Sequence, residues 1–164
     1  MIPRNLYDSD HEMFRDSVRK FIEVEAMPHH DQWEKDGMVS DEVWLKAGEQ
    51  GFLGLAVPEE FGGVNADFRY NCILNEEIAR SGCTGLGWTL HNDISVPYIV
   101  RYGSDFQKKK YLPRCASGEL ITAIAMTEPA AGSDLQGTKT TAVLDGDHYI
   151  LNLSLIHISE PTRP

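Results

Sequence analysis

The sequence predicts an α+β fold in which a helical region comes first and the start of a β region follows it. Residues 1–118 contain several stretches with apolar residues at helical spacing, each bounded by capping or breaking residues. After Gly118 the pattern changes to a continuous apolar run, LITAIAM, and then to an alternating stretch, TKTTAVLDGDHYILN. We therefore expect a helical domain at 1–118 and an incomplete β domain at 119–152, because about three strands cannot bury both faces of a sheet.

Composition narrows the class of protein. The chain has 164 residues, of which 41% are hydrophobic and 24% charged, as in soluble globular domains. Its net charge of −10 argues against a nucleic-acid-binding protein, and the one basic run, Lys108–Lys110, is interpreted as a solvated helix face. Cys72, Cys83 and Cys115 form no Cys-x-x-Cys pair, which favours reduced thiols over a disulfide framework or a metal site. No segment has the apolar length of a signal peptide or membrane span, so we expect a protein of the bacterial cytoplasm or the mitochondrial matrix.

The first helix is expected to begin at Ser9, because Ser9 and Glu12 form a capping-box pattern beside the acidic Asp8 and Asp10. Pro28 is expected to end it, because proline cannot continue the hydrogen-bond ladder. One apolar stripe runs along this helix: Phe14, Val18, Phe21 and Ile22.

Two further helices are expected at 40–51 and 66–80. Their inward positions are Val43, Trp44 and Ala47 in the first, and Tyr70, Ile73, Leu74 and Ile78 in the second. Glu76 and Glu77 could form a catalytic pair, but sequence neighbours face different directions on a helix, which favours a solvated face.

The rest of the helical region is expected to hold two more helices. The apolar segment GLGWTLHNDISVPYIVRYG ends at Gly103, and Ser104 opens a shorter helix through FQKKKYLPRCASG. Trp44 and Trp88 are interpreted as core residues. His91 is interpreted as a satisfied packing histidine, with a reactive role as the alternative.

The β region begins with a change in residue type, from an apolar stretch to a loop of small and polar residues. Ala123–Met126 is apolar enough to be a buried strand, whereas Thr127–Asp134 is a loop of small residues and hydroxyls. Ala130, Ala131 and Gly132 would let a ligand approach the main chain, and the hydroxyls of Thr127 and Ser133 can donate and accept hydrogen bonds. The loop contains neither a dinucleotide fingerprint nor a P-loop. By itself its pattern favours a plain turn over an anion- or heterocycle-binding loop. Asp145-Gly146-Asp147 is expected to be a hairpin turn.

Three motifs in order, PEEFGG, YLPRCASGE and AMTEPAAGSD, resemble the amino-terminal half of the acyl-CoA dehydrogenase family. SVRKF, VWLKAGEQGFLGL and IAMTEPAAGSDLQGTKT are most similar to its long-chain branch and bacterial relatives. The resemblance implies an all-helical N-terminal domain, a middle β-barrel of which this chain holds the first strands, and a C-terminal helical bundle. It also implies homo-oligomers, mostly through that bundle.

The resemblance further implies a flavoenzyme that dehydrogenates acyl-CoA thioesters, with FAD as cofactor and electron-transfer flavoprotein as electron acceptor. Thr127 and neighbouring main-chain groups would bond the flavin ring, and Ser133 would lie near the cofactor diphosphate and the CoA portion of the substrate. No catalytic residue is assigned, because neither Glu119 nor Glu128 matches the family's base. The family counterpart of His91 borders the region where the acyl tail lies, which implies a role in shaping that pocket. The implied cofactor-binding residues are Ile124, Ala125, Met126, Thr127, Glu128, Pro129, Ala130, Ala131, Gly132 and Ser133.

The sequence leaves competing functions open, and its C-terminal tail is unusual. An acyl-CoA oxidase or flavin monooxygenase on the same scaffold, and a cofactor-free helical interaction module, are the competing functions. Residues 153–164 match, in their first eleven positions, one reading frame of a common sequencing adapter. We expect this tail to be an artefact that interrupts the native protein after Asn152, leaving an inactive fragment.

Overall fold

The computed structural model describes residues 5–153, which form two compact units dividing after Ala123. The expected tail therefore lies almost entirely outside the described residues. The first unit is helical and the second contains a loop and a hairpin, so the predicted α+β class is confirmed. The division into domains at Gly118 stays a prediction. The α-helices are α1 (Ser9–Phe21), α2 (His30–Asp36), α3 (Asp41–Glu49), α4 (Phe68–Ser81), α5 (Trp88–Leu90), α6 (Val96–Tyr102) and α7 (Asp105–Ser117).

The N-cap of helix α1 lies one residue earlier than the sequence predicts. Asp8, not Ser9, is the N-cap: its carboxylate accepts the backbone N–H groups of Asp10 and His11 at 3.1 and 3.2 Å. The Asp8 N–H in turn donates to His11 Nδ1 at 3.5 Å, so His11 fills the capping-box position assigned to Glu12. A carboxylate is the stronger acceptor at a helix N-terminus, which accounts for the shift.

The prediction that Pro28 ends the helical segment is wrong. A π-turn at Ile22–Ala26 and a 3-10 turn at Met27–His29 follow α1, and α2 begins directly at His30. Pro28 is tolerated because it lies in the first turn of the 3-10 segment, where its missing N–H has no partner to lose. Gly37, with φ of 68°, then ends α2.

The later helices lie close to their predicted bounds. Ser40 is the N-cap of α3 and Asp67 caps α4 through a side-chain bond to Arg69 N–H. A π-turn, His91–Ser95, joins α5 to α6, which ends at Gly103 as predicted. Helix α7 has a capping box between Ser104 and Gln107.

Gly118 ends α7 and explains how α7 packs on α3. Its φ is 82°, and a Cβ at this position would overlap the carbonyl of Trp44. Only glycine meets both requirements, so the close contact of the two helices depends on it.

Two apolar clusters form the core of the helical unit. Trp88 is fully buried and Trp44 is 5% exposed, which confirms both as core residues. The larger cluster contains Val18, Ile22, Ala26, Val43, Trp44, Ala47, Phe52, Leu53, Leu55, Leu74, Ile78, Cys83, Leu86 and Trp88, and the smaller one Val57, Val96, Leu112 and Cys115. The three cysteines are free thiols, of which Cys83 and Cys115 are buried.

Glu77 corrects the prediction of a solvated acidic face on α4. Its side chain is only 3% exposed and accepts hydrogen bonds from Arg15 Nη1 and Arg19 Nε, both at 2.9 Å. Burial alone would raise the pKa of Glu77, but the bonds from Arg19 and Arg15 outweigh it and hold that pKa below the ordinary value. Glu76 also contacts Arg15, at 2.9 Å. The pair therefore ties α4 to α1, and Glu77 serves structure.

The second unit contains an antiparallel hairpin of β1 (Thr141–Asp145) and β2 (His148–Asn152), with Gly146-Asp147 as its two-residue turn. The predicted hairpin is confirmed, and Gly146 has the φ of 64° that such turns require. One face is wholly apolar and every residue of both strands is exposed. That face is formed by Ala142, Leu144, Tyr149 and Leu151.

The predicted buried strand at Ala123–Met126 is wrong. Within residues 5–153, no strand pairs with this stretch, and Ala123, Ala125 and Met126 are exposed. An apolar run becomes a strand only where a neighbour accepts its backbone hydrogen bonds, and composition cannot supply that neighbour. In the part of the chain that the structure describes, no helix has the length and apolarity to cross a membrane.

We predict that Glu77→Gln lowers the free energy of unfolding of the chain by about 2–3 kcal/mol, because it removes the charge that pairs Arg15 and Arg19 in a buried setting. Chemical denaturation monitored by circular dichroism measures the loss. The control is Asp16→Asn, since Asp16 is 78% exposed and lies 3.7 Å from Arg19. A loss no greater than the control's would show that this cluster does not hold α1 to α4.

Candidate functional site

The loop predicted to bind a ligand is built around a tight turn at Glu128–Ala131. The Glu128 N–H donates to the Ala131 carbonyl and the Ala131 N–H donates back to the Glu128 carbonyl, both at 3.0 Å. Pro129 follows Glu128 in this turn, where its fixed φ suits the geometry. Pro129 and Ala130 are exposed at the tip, while Ala131 is buried. The turn is therefore fixed by backbone bonds at its base.

The Glu128 side chain secures the same turn from the inside. It is 5% exposed, and its carboxylate accepts the N–H of Lys139 at 2.6 Å and the N–H of Thr140 at 2.9 Å. The Thr140 hydroxyl donates to it as well. The hydrogen bonds from Thr140 and Lys139 hold the pKa of Glu128 below its ordinary value, so it is a carboxylate at neutral pH.

A second turn closes the loop behind the first. Asp134 caps a 3-10 turn at Leu135–Gly137 by accepting the Gln136 N–H at 3.0 Å. A Cβ at Gly137 would overlap the carbonyl oxygen of Ala130, so the two turns touch through main-chain atoms. Glycine at 137 is thus explained by packing inside the loop.

Gly132 has no such internal explanation. A Cβ at this position would meet nothing within 4 Å in the described part of the chain. Gly132 and Ser133 are both exposed. The absence of a side chain here leaves the backbone accessible to a molecule from outside, which is what the sequence predicts for this loop.

The stretch before the turn is equally accessible. Across residues 5–153, no hydrogen bond involves the backbone or side chains of Ala123–Thr127. Thr127 is exposed, as are Ala125 and Met126, whereas Ile124 is half-buried. These main-chain groups and the Thr127 hydroxyl can therefore be satisfied by water or by a ligand.

The ten predicted site residues thus divide into two sets. Glu128 and Ala131 face inward and shape the loop; the others are exposed or half-buried and can face a ligand. Such a surface of N–H donors, carbonyls and two hydroxyls suits a flat heterocycle with several carbonyl and amide groups, or an anion. The exposed and half-buried members are Ile124, Ala125, Met126, Thr127, Pro129, Ala130, Gly132 and Ser133.

His91 lies in the helical unit and is fully buried, which confirms the packing interpretation. Its Nε2 is 3.0 Å from the Cys115 carbonyl, and its Nδ1 is 2.9 Å from the Thr122 hydroxyl. The Thr122 N–H also donates to Nδ1, at 3.3 Å. Burial lowers the pKa of His91, so the ring is neutral at neutral pH.

Sequence reasoning missed the residues that hold the loop. Lys139 and Thr140 carry the Glu128 contacts, and Thr122 carries the His91 contacts. The only available signal was the polar stretch TKTT just before the hairpin, which does not reveal which carboxylate those residues bind.

The described residues contain no metal site, and an apolar cavity lies in the helical unit. No group of three or more His, Cys, Asp or Glu side chains among them is placed to hold a metal ion. The helical unit has a mainly apolar cavity of about 210 Å³, and no predicted site residue lines it. Its lining consists of Gly54, Ala56, Val57, Asn92, Val96, Pro97, Val100 and Arg101.

A family model, a curated relative and a solved structure that match this chain are all acyl-CoA dehydrogenases. The family described as acyl-CoA dehydrogenase, N-terminal domain, matches residues 8–119. The long-chain specific acyl-CoA dehydrogenase of Sus scrofa mitochondria is 51% identical over 95% of this chain and 36% of its own length. The crystal structure of an acyl-CoA dehydrogenase from Geobacillus kaustophilus has a TM-score of 0.85 and 53% identity, covering 92% of this chain and 40% of that one.

Another similar solved structure contains a bound cofactor. The acyl-CoA dehydrogenase from Bacillus anthracis, complexed with FAD, has a TM-score of 0.82 and 37% identity over 93% of this chain and 27% of that one. The chain spans little more than a third of the length of the curated relatives it matches, since 36% of the Sus scrofa protein is covered.

We predict that Glu128→Gln raises hydrogen exchange of the Lys139 and Thr140 amides several-fold, because a neutral amide is a weaker acceptor than a carboxylate. In the unaltered chain, the lowered pKa means that this anchoring is complete above the ordinary glutamate pKa of about 4.3 and is lost as the pH falls through the lower folded value. NMR titration of the Glu128 carboxyl carbon measures that value.

The matched control for this prediction is Glu119→Gln, because the Glu119 side chain is 58% exposed and contacts Arg114 at 3.5 Å. It is expected to leave exchange at Lys139 and Thr140 unchanged. A Glu128 pKa at or above the ordinary value would contradict the proposed anchoring.

Proposed function

The chain belongs to the acyl-CoA dehydrogenase family, and from that premise we propose that Ile124–Ser133 form part of an FAD site used in the α,β-dehydrogenation of acyl-CoA thioesters. Two observations carry this proposal together: the backbone of Ile124–Thr127 has no hydrogen-bond partner among the described residues, and packing among those residues does not require glycine at Gly132. The similar Bacillus anthracis enzyme, which is complexed with FAD, supports the choice of cofactor.

The residues of the loop fit the polar end of a flavin. That end carries carbonyl and imide groups, which need donors and acceptors together. Backbone N–H and C=O groups of Ile124–Thr127 supply both, and the Thr127 hydroxyl adds a group that can do either. Ser133, exposed beside Gly132, is proposed to contact the cofactor diphosphate and the CoA portion of the substrate.

Bound FAD would supply the hydride acceptor for the β carbon of the acyl chain, while a base removes the α proton. The contribution of this chain is to hold fixed donors where negative charge grows at the pyrimidine end of the ring, which stabilises the charge without reorganisation. The base itself is not assigned to any residue of the chain. Glu128 is a poor candidate, since its carboxylate is occupied by Lys139 and Thr140.

The partners of the whole enzyme are proposed on the same resemblance. They are a long-chain acyl-CoA as substrate, electron-transfer flavoprotein as electron acceptor, and further copies of the chain in a homo-oligomer. The named relatives come from mitochondria and from bacteria, which supports a matrix or cytoplasmic enzyme. The competing enzymes are acyl-CoA oxidases and flavin monooxygenases on the same scaffold. A helical interaction module without a cofactor would have no use for the loop.

The test joins residues 5–152 of this chain to the remaining part of the Geobacillus kaustophilus relative. We predict that the joined protein retains FAD through gel filtration and oxidises long-chain acyl-CoA in the presence of an artificial electron acceptor. Thr127→Val is expected to raise the Kd for FAD about three- to tenfold, because it removes one hydrogen bond at constant volume.

Thr138→Val is the matched control, because the Thr138 hydroxyl donates only to the Leu135 carbonyl at 2.8 Å behind the loop. It should bind FAD as the unaltered protein does. A joined protein that folds but is colourless would refute the proposed function, and equal effects of the two valine variants would remove Thr127 from the site.

A further inference from the structure

The His91 contacts allow one tautomer of the ring. The Cys115 carbonyl can only accept a hydrogen bond, so Nε2 must carry the proton. Nδ1 then carries a free lone pair. This lone pair accepts hydrogen bonds from both the hydroxyl and the N–H of Thr122. The buried ring is therefore fully paired as neutral imidazole.

The position of Thr122 in the chain gives this arrangement a consequence. Thr122 stands two residues before Ile124, at the start of the stretch proposed to face the flavin. Between Thr122 and Glu128, the described chain contains no residue with an internal hydrogen bond. Thr122 is thus the last polar anchor before Ala123–Thr127, as Glu128 is the first one after it.

We propose that His91 is a positioning residue for the FAD site, which acts by holding the Thr122 hydroxyl and N–H and so fixing where the flavin-facing stretch begins. This inference rests on the proposed function, because the stretch matters to FAD only if it lines the ring. His91 itself touches neither cofactor nor substrate in this account.

The surroundings of His91 are suited to that purpose. The Trp44 indole stands against the imidazole with ring centroids 5.5 Å apart and an interplanar angle of 69°, which restricts rotation of the ring. The Cys115 carbonyl lies in the last turn of α7. His91 therefore transmits the position of two packed helices to a residue that has no regular secondary structure.

The arrangement is sensitive to protonation in a defined direction. The groups that face the ring are the Trp44 indole, the Thr122 hydroxyl and amide, and Cys115, whose thiol pKa burial raises to about 11; none of these described contacts titrates near neutral pH. A proton on Nδ1 would meet the Thr122 N–H and break that bond, whereas the Thr122 hydroxyl could turn and accept the Nδ1 proton. Because the folded pKa of His91 is lowered, the bond from the Thr122 N–H is intact above about pH 6.5 and is lost as the pH falls through the folded value.

The test uses the full chain with Thr122→Val and Thr122→Ser. Backbone order parameters of Ala123 and Ile124 from ¹⁵N relaxation are expected to fall in Thr122→Val and to be restored in Thr122→Ser, which keeps the hydroxyl. In the unaltered chain they should fall at acid pH, and in Thr122→Val they should fall at least as far, because this variant keeps only the N–H bond that the proton breaks. Thr138→Val is the control and should match the unaltered chain.

Two results would overturn the proposal. The first is an Nδ1–H tautomer of His91, read from its ring ¹⁵N shifts; the second is a Thr122→Val variant with unchanged order at Ala123 and Ile124. In the joined protein, Thr122→Val should raise the Kd for FAD several-fold, with Thr122→Ser close to the unaltered value, and an unchanged Kd would also refute the positioning. If the unaltered joined protein binds no FAD, the proposed function fails while tautomer and order parameters still decide whether His91 holds Thr122.

Discussion

One buried carboxylate organises the candidate site. Glu128 receives two backbone N–H groups and a hydroxyl from Lys139 and Thr140, and its own backbone closes the turn to Ala131. Because these bonds satisfy the side chain from within, the turn does not need a ligand to hold its shape. The exposed residues around it, above all Thr127 and Ser133, are then presented on a fixed support, which is the condition for electrostatic preorganisation.

The helical unit is held together by a different set of contacts. Its shape depends on close helix contacts, such as Gly118 against the Trp44 carbonyl, and on the paired charges of Glu77, Arg15 and Arg19. None of these residues belongs to the predicted cofactor loop. His91 lies in the same unit and contacts Trp44 of α3 and the Cys115 carbonyl of α7.

The sequence predicted what depends on local pattern and missed what depends on partners. The N-cap at Ser40, the ends at Gly103 and Gly118 and the hairpin turn at Gly146 follow from spacing and backbone preference, and they were predicted correctly. The strand at Ala123–Met126 was not, because pairing is a property of two segments.

The same limit applies to side chains. Nothing in the order of Glu76 and Glu77 reveals that α1 places two arginines over Glu77, and nothing in TEPAAGSD reveals that its carboxylate turns inward to Thr140. The exposed half of the loop was predictable because small residues and hydroxyls next to a turn suggest a ligand. The anchors were not, since hydrogen-bond partners lie 11 to 31 residues away in sequence.

The proposed function requires an inward-facing Glu128 that leaves the backbone of Ile124–Thr127 free for a flavin. A crystal structure of the joined protein with FAD tests it most directly. We expect the Thr127 hydroxyl and main-chain groups of this stretch within hydrogen-bond distance of the pyrimidine ring, with Glu128 still bonded to Lys139 and Thr140. A flavin bound away from these residues, or a Glu128 carboxylate turned towards the ring, would contradict it.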